Sequence, residues 1–226
     1  MASQRTTKTT VFDTISKVIF TYSKQIFLGI LFVAVLVIIF FAHKLWVAKR
    51  EQAAQYDFSA LISEYDLMMR EKNPQWLELL NKFEDNYKKH AYSSLLPYYQ
   101  SYKVHILLRQ GERDAALATL DEMITTMKAS PIIGLYEMER ALVKLDSNDI
   151  AVNNAGLDEL KKLAYDSKNI YNDSAMFYLG RYYWATDQID DARLVWQKLV
   201  DDQRDEKIAP SPWVSQVQEF LQLTIA

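Results

Sequence analysis

The side chains best suited to metal binding or proton transfer are three histidines and several neighbouring acids. His43, His90 and His105 stand far apart, and none falls in an H-x3-H or H-E-x2-H pattern, the spacings that place two imidazoles on one helix face around a metal. There is no Cys, so thiolate chemistry, disulfides and Cys-based zinc sites are excluded. No G-x4-G-K-[ST] or G-x-G-x2-G loop is available to cradle a phosphate, and no G-x-S-x-G carries a nucleophile. Asp190-Asp191, and Asp201-Asp202 with Asp205-Glu206, pair carboxylates as acid–base catalysts do. The first pair, however, follows a turn, where acids favour the opening turn of a helix. The second lies among Gln203, Arg204 and Lys207, as on a solvated face. Asn172-Asp173-Ser174 is a glycosylation sequon, relevant only in a eukaryotic secretory setting. The expectation is a protein with no catalytic residue, no cofactor and no metal, hence not an enzyme.

Charge narrows the partners. Residues 1–50 carry seven Lys/Arg against one acid, Asp13. The other 176 residues carry 19 basic and 28 acidic groups, a net of −9. Nucleic-acid binding is dominated by neutralising phosphates, so so acidic a body predicts no nucleic-acid partner. The basic end suits lipid headgroups.

It surrounds an uncharged run, Gln25 to Ala42, reading QIFLGILFVAVLVIIFFA. Its eighteen residues make a helix of about 27 Å, and the flanks extend it to the ~30 Å of a bilayer core. Lys24 and Lys44 bracket the run, and Trp46 stands at interfacial depth. A cleaved signal peptide would have a shorter apolar stretch and small residues at a cleavage site, whereas HKLWVAKRE follows here. The organisation predicted is an N-terminal tail, 1–24, a transmembrane signal anchor, 25–46, and a helical domain, 51–226. Four basic residues precede the anchor and three follow it, which favours a cytoplasmic N-terminus. In a bacterium the domain would then be periplasmic and the anchor in the inner membrane. The Thr/Ser-rich, acid-poor opening leaves a mitochondrial inner-membrane location as the alternative.

Residues 51–226 read as helices almost throughout. With only five Gly and five Pro in the chain, turns are few. Breaks are expected at 73–74, 110–111, 130–131, 147–149, 186–187 and 209–212, and the fold is expected to be all-α with roughly nine helices. Two stretches, 107–123 and 182–199, align with Gly111 opposite Asp187, Ala116 opposite Ala192, Leu120 opposite Trp196 and Met123 opposite Leu199. Leu179-Gly180 and Tyr183 precede Ala192. This is similar to a tetratricopeptide repeat, W-x2-L-G-x2-Y then A-x3-F. Small Gly180 and Ala192 would let two helices approach, with Tyr183 and Trp196 filling the space beside them. Thr186-Asp187 stands where the pattern has a turn Gly, and Gln100 and Lys103 where it has Trp and Leu. A degenerate copy, 135–164, puts Ala141 and Gly156 at the small positions and Leu160 and Leu163 at the large ones. The predicted fold is therefore a single transmembrane helix followed by a tetratricopeptide-repeat-like, right-handed helical array, ended by the SPWVSQVQEFLQLTI helix as a cap.

Anchor, array and final helix together, including AYSSLLPYYQSYKVHILLRQGERDAALATLDEM and SAMFYLGRYYWATDQIDDARLVWQKLV, resemble the YfgM-like ancillary subunits of the bacterial SecYEG translocon. The resemblance implies a scaffold that binds translocon subunits, a periplasmic chaperone or prolyl isomerase, or translocating chains, with the bilayer engaged through residues 25–46. An accessory or assembly subunit of another respiratory or envelope complex is the alternative. In such arrays the first helix of each hairpin lines the concave side. That register offers Tyr98, Ser101, His105 and Arg109, then Leu135, Met138 and Leu142, then Phe177, Arg181 and Trp184, as partner-binding residues.

A retained anchor makes one checkable demand. Intact-mass analysis of the protein purified from its membrane should find residues 1–24 in place, whereas processing around residues 20–25 would point to the mitochondrial alternative.

Overall fold

In the computed structural model, residues 3–72, 74–202 and 211–223 are described. The chain divides into two compact units, Met1–Asp57 and Phe58–Ala226. There are nine helices and no strand among the described residues: α1 (Ser3–Met68), α2 (Trp76–Lys89), α3 (Leu96–Gln110), α4 (Arg113–Thr126), α5 (Ile133–Leu145), α6 (Ile150–Tyr165), α7 (Asn172–Ala185), α8 (Ile189–Asp202) and α9 (Val214–Leu223).

The first unit is α1 as far as Asp57, and the rest of that helix, Phe58–Met68, belongs to the second. This helix runs unbroken through the composition limits at 24, 46 and 51, because no Pro or Gly falls between residues 47 and 72 to interrupt it. Phe27, Leu28, Ile30, Phe32 and Val33 point to different sides, and all are exposed. The chain itself covers none of them, and a helix apolar on every face needs an apolar surround. Here α1 is long and apolar enough to cross a membrane. At the end of the apolar run, Lys44 Nζ lies 5.1 Å from the Phe40 ring centre and the Arg50 guanidinium 4.5 Å from that of Trp46. Such cation–aromatic pairs suit the polar boundary of a bilayer.

The second unit is a chain of hairpins. Each helix packs mainly against those before and after it in sequence. One device recurs at every connection into an odd-numbered helix. Ser93 Oγ accepts from the Leu95 N–H (3.1 Å), Ser130 Oγ from Ile132 (3.4 Å), Asn169 Oδ1 from Tyr171 (3.1 Å) and Ser211 Oγ from Trp213 (3.3 Å). Three residues after each of these comes the first residue of α3, α5, α7 or α9, and its N–H donates back to the same residue's carbonyl. The polar side chain satisfies a backbone donor that the coming helix leaves open. The expected break at 209–212 is this fourth turn, with Ala209-Pro210 outside the described residues, as is Asn73 of the expected break at 73–74. Two interruptions, at 90–95 and 166–171, go beyond the six expected ones.

Within hairpins, two turns are the same. Gly111 has φ 82° and Asp187 φ 62°, both left-handed. The Glu112 N–H donates to Leu107 O (2.9 Å) and Gly111 to Leu108 O (3.1 Å); Gln188 donates to Tyr183 O (2.8 Å) and Asp187 to Trp184 O (3.3 Å). Each is a Schellman close, which wants Gly at the left-handed position. Asp187 tolerates it at a cost. Between α5 and α6, Asp149 caps instead, its Oδ1 accepting from Ala151 (2.7 Å) and Val152 (3.2 Å).

Small residues set the hairpin approach. A Cβ on Gly156 would fall 2.8 Å from Ala141 O and 2.7 Å from Lys144 Cβ, so α5 and α6 meet backbone to backbone there. A Cβ on Gly180 would collide with the Trp196 indole. Trp196 is fully buried, stacks on Phe220 at 5.0 Å and donates Nε1–H to Phe177 O (3.3 Å). The aromatic stretch 179–199 is thus a packing element. Truncating such a buried Trp costs about 3–5 kcal/mol, whereas an exposed ion pair such as Lys198–Asp202 (3.0 Å) contributes about 0–1 kcal/mol. Apolar burial holds the hairpins.

Thermal melting of the full-length protein in detergent separates the two turn residues. Asp187→Gly should raise Tm by about 2 °C through relief of roughly 0.5–1 kcal/mol. Gly111→Ala should lower it by a similar amount, and Gly180→Ala by several degrees, since overpacking costs about 1–3 kcal/mol.

Candidate functional site

The residues projected onto one face divide into three groups. His105, Arg109 and Arg181 are exposed, Tyr98 half so. Ser101 and Trp184 are partly buried: Ser101 Oγ donates to Pro97 O (3.1 Å) and meets the Tyr136 hydroxyl, and the Trp184 ring centre lies 5.9 Å from that of Trp196. Burial chiefly pushes the Tyr136 hydroxyl above its ordinary pKa, with Ser101 acting the other way. Met138 and Phe177 are corrections, being 6% and 3% exposed. Met138 turns into the core shared with α6 and α7 because α5 is buried on two sides. Phe177 is covered by Trp213, whose ring stacks on it at 4.3 Å while Nε1–H donates to Ser174 Oγ (2.9 Å).

What the structure does bring together is His105 on α3 with Leu142 on α5. They line a cleft of about 420 Å³ with Leu108, Val143, Glu139, Arg113 and Asp146. His105 Nε2 lies 3.1 Å from Glu139 Oε1, at ion-pair distance but without hydrogen-bond alignment. Arg113 and Asp146 pair at 2.5 Å, tying the start of α4 to the end of α5. Leu108, Leu142 and Val143 give the cleft its apolar lining, and His105, Arg113, Glu139 and Asp146 its polar one. Arg109, Arg181 and Trp184 do not line it. Arg181 lies over the Phe177 ring, 6.0 Å from its centre. Glu139, Arg113 and Asp146 were not among the expected site residues; the one signal for them is the opposite charge available to His105 and across the hairpin turn.

Asp190 is exposed in the first turn of α8, 3.6 Å from Arg193, and Asp202 pairs with Lys198. Asp205-Glu206 lies outside the described residues, as do Gln203, Arg204 and Lys207. In the sequon, Asp173 accepts from Ser211 Oγ (2.5 Å), so the segment serves to seat α9. Among the described residues no three His, Asp or Glu gather as metal ligands.

No protein-family model, curated protein or solved structure matches the chain.

Arg109 and Arg181 can be tested as a pair because both are exposed. Arg109→Glu with Arg181→Glu should leave helicity and Tm near wild type and weaken partner capture by about tenfold, ~1.4 kcal/mol. Unfolding of the double variant would make the two arginines structural.

Proposed function

We propose that the protein is a membrane-anchored scaffold whose tetratricopeptide-type array binds other polypeptides. The carrying observation is the recurrence of one connection at Ser93, Ser130, Asn169 and Ser211, at intervals of 37, 39 and 42 residues. Recurrence at this scale is the mark of stacked helix pairs, each too small to bury its apolar face alone. The intervals exceed the ~34 residues usual for tetratricopeptide repeats, consistent with lengthened connections. The Gly180–Trp196 and Gly156–Ala141 contacts support the same class, since they fall at the small and large positions of the repeat. The His105–Leu142 cleft between the first helices of two hairpins is the surface on offer.

The resemblance to ancillary translocon subunits supplies the partners: translocon components, a chaperone or prolyl isomerase outside the cytoplasm, and chains in transit. In this reading the candidate span in α1 anchors the array to a bilayer, and the basic bias before it argues for an array on the far side from the cytoplasm.

Crosslinking full-length protein in its native membrane, with mass spectrometry of what is captured, tests this directly. Translocon and chaperone components are expected. Recovery of an enzyme complex instead would make the chain a structural subunit of that complex.

A further inference from the structure

A second cavity, of about 190 Å³, lies in the seam of α2, α3 and α4. The repeat register explains why it is there. Shifted by the 76 residues that set Ala116 opposite Ala192, Gln100 stands opposite Met176, Lys103 opposite Leu179 and Thr119 opposite Val195. In the later hairpin those three residues are 3%, 0% and 3% exposed and fill the space between the helices. In the earlier hairpin Gln100 and Lys103 are only half-buried, because a polar head seeks water. Lys103 Nζ turns to Glu84 on α2 at 2.7 Å. The volume that two apolar side chains occupy in one hairpin is left open in the other.

Its walls say what fits. Phe83, Tyr87 and Tyr99 present rings, with Phe83 and Tyr99 each 1% exposed. An apolar cavity of about 150 Å³ holds a benzene ring, so this one takes a single ring and little more. Four charged groups line it, Glu84, Glu122, Lys88 and Lys103, and the two signs cancel. A net ion gains nothing there; a neutral ring gains aromatic contacts and leaves water. At the mouth, Gln100, Lys88 and Glu122 have no side-chain hydrogen bond or ion pair among the described residues, which leaves donors and acceptors free for the amides of a backbone.

We infer that this cavity receives one neutral aromatic side chain, Trp, Tyr or Phe, of a polypeptide held by the array. The inference rests on the scaffold reading above and names the partner feature it selects.

The test uses full-length protein in detergent and two probes, acetyl-Gly-Trp-Gly-amide and acetyl-Gly-Ala-Gly-amide, followed by saturation-transfer NMR. Wild type should bind the Trp peptide and not the Ala peptide. Gln100→Met with Lys103→Leu, which installs the later hairpin's residues, should weaken the Trp peptide by about tenfold or more while Tm stays level or rises. If that variant melts below wild type, Gln100→Met alone is measured in the same way and decides. No binding by wild type, or equal binding by a filled variant of wild-type stability, overturns the inference. Failure of peptide binding with partner crosslinking intact would remove the pocket alone. Loss of crosslinked partners with peptide binding intact would remove the scaffold reading alone.

Discussion

Helix α5 is buried from both sides, and the hairpin unit depends on it. Tyr136 and Val143 belong to the core built from α1 to α5, Met138 and Ala141 to the core built from α5 to α9. Among the described residues no other helix supplies buried residues to both. A helix so placed must carry its polar groups on the strips between its two apolar faces, and three of them meet charged or titratable groups on neighbouring helices. Glu139 faces His105 of α3, Arg140 meets Asp121 of α4 (2.7 Å) and Glu159 of α6 (3.2 Å), and Lys144 shares Glu159. Burial opposes the charge on Arg140, yet Asp121 and Glu159 outweigh it and hold the guanidinium above its ordinary pKa. Removing one of those acids would leave a part-buried cation short of its counter-charge, which costs more than the pair contributes. Position along α5 is therefore fixed by charge, while affinity for its neighbours comes from apolar area.

The two cores have different chemistry for the same reason. The first is aromatic: Phe58, Phe83, Tyr99 and Tyr102 meet ring to ring, with Tyr102 stacked on Phe83 at 5.4 Å and on edge to Phe58 and Tyr65. Rings pack with less freedom to adapt than Met or Leu, so polar substitutions at Gln100 and Lys103 leave a void there that neighbouring side chains do not flow into. The second core sets Trp196 against Gly180, with Met176, Phe177 and Leu179 buried in the same cluster. One hairpin design thus yields an open seam and a sealed one.

Much of this was readable from residue order. Gly111 and Pro131 mark breaks through backbone geometry that any residue-level reading recovers, and Ala141 with Gly156 locates a close contact through size alone. The breaks at 90–95 and 166–171 escaped because their stop signals are side-chain oxygens. Asp166 Oδ1 accepts from Lys168 (2.9 Å), Asn169 Nδ2 donates to Leu163 O (3.1 Å), and nothing in Asp-Ser-Lys-Asn distinguishes that use from a solvated run. The binding face was harder. Projecting a repeat assumes that every first helix has one open side, which holds for His105 and fails for Met138, because α5 has none to spare. Phe177 was lost to Trp213, a residue 36 positions away whose reach depends on how the chain turns after α8.

The last helix carries a consequence of its own. Val217, Phe220 and Leu221 lie against the final hairpin, while Gln216, Gln218, Glu219 and Gln222 face water. Among the described residues the outward face of α9 thus carries amides and a carboxylate, and the helix shields the apolar end of the last hairpin from water.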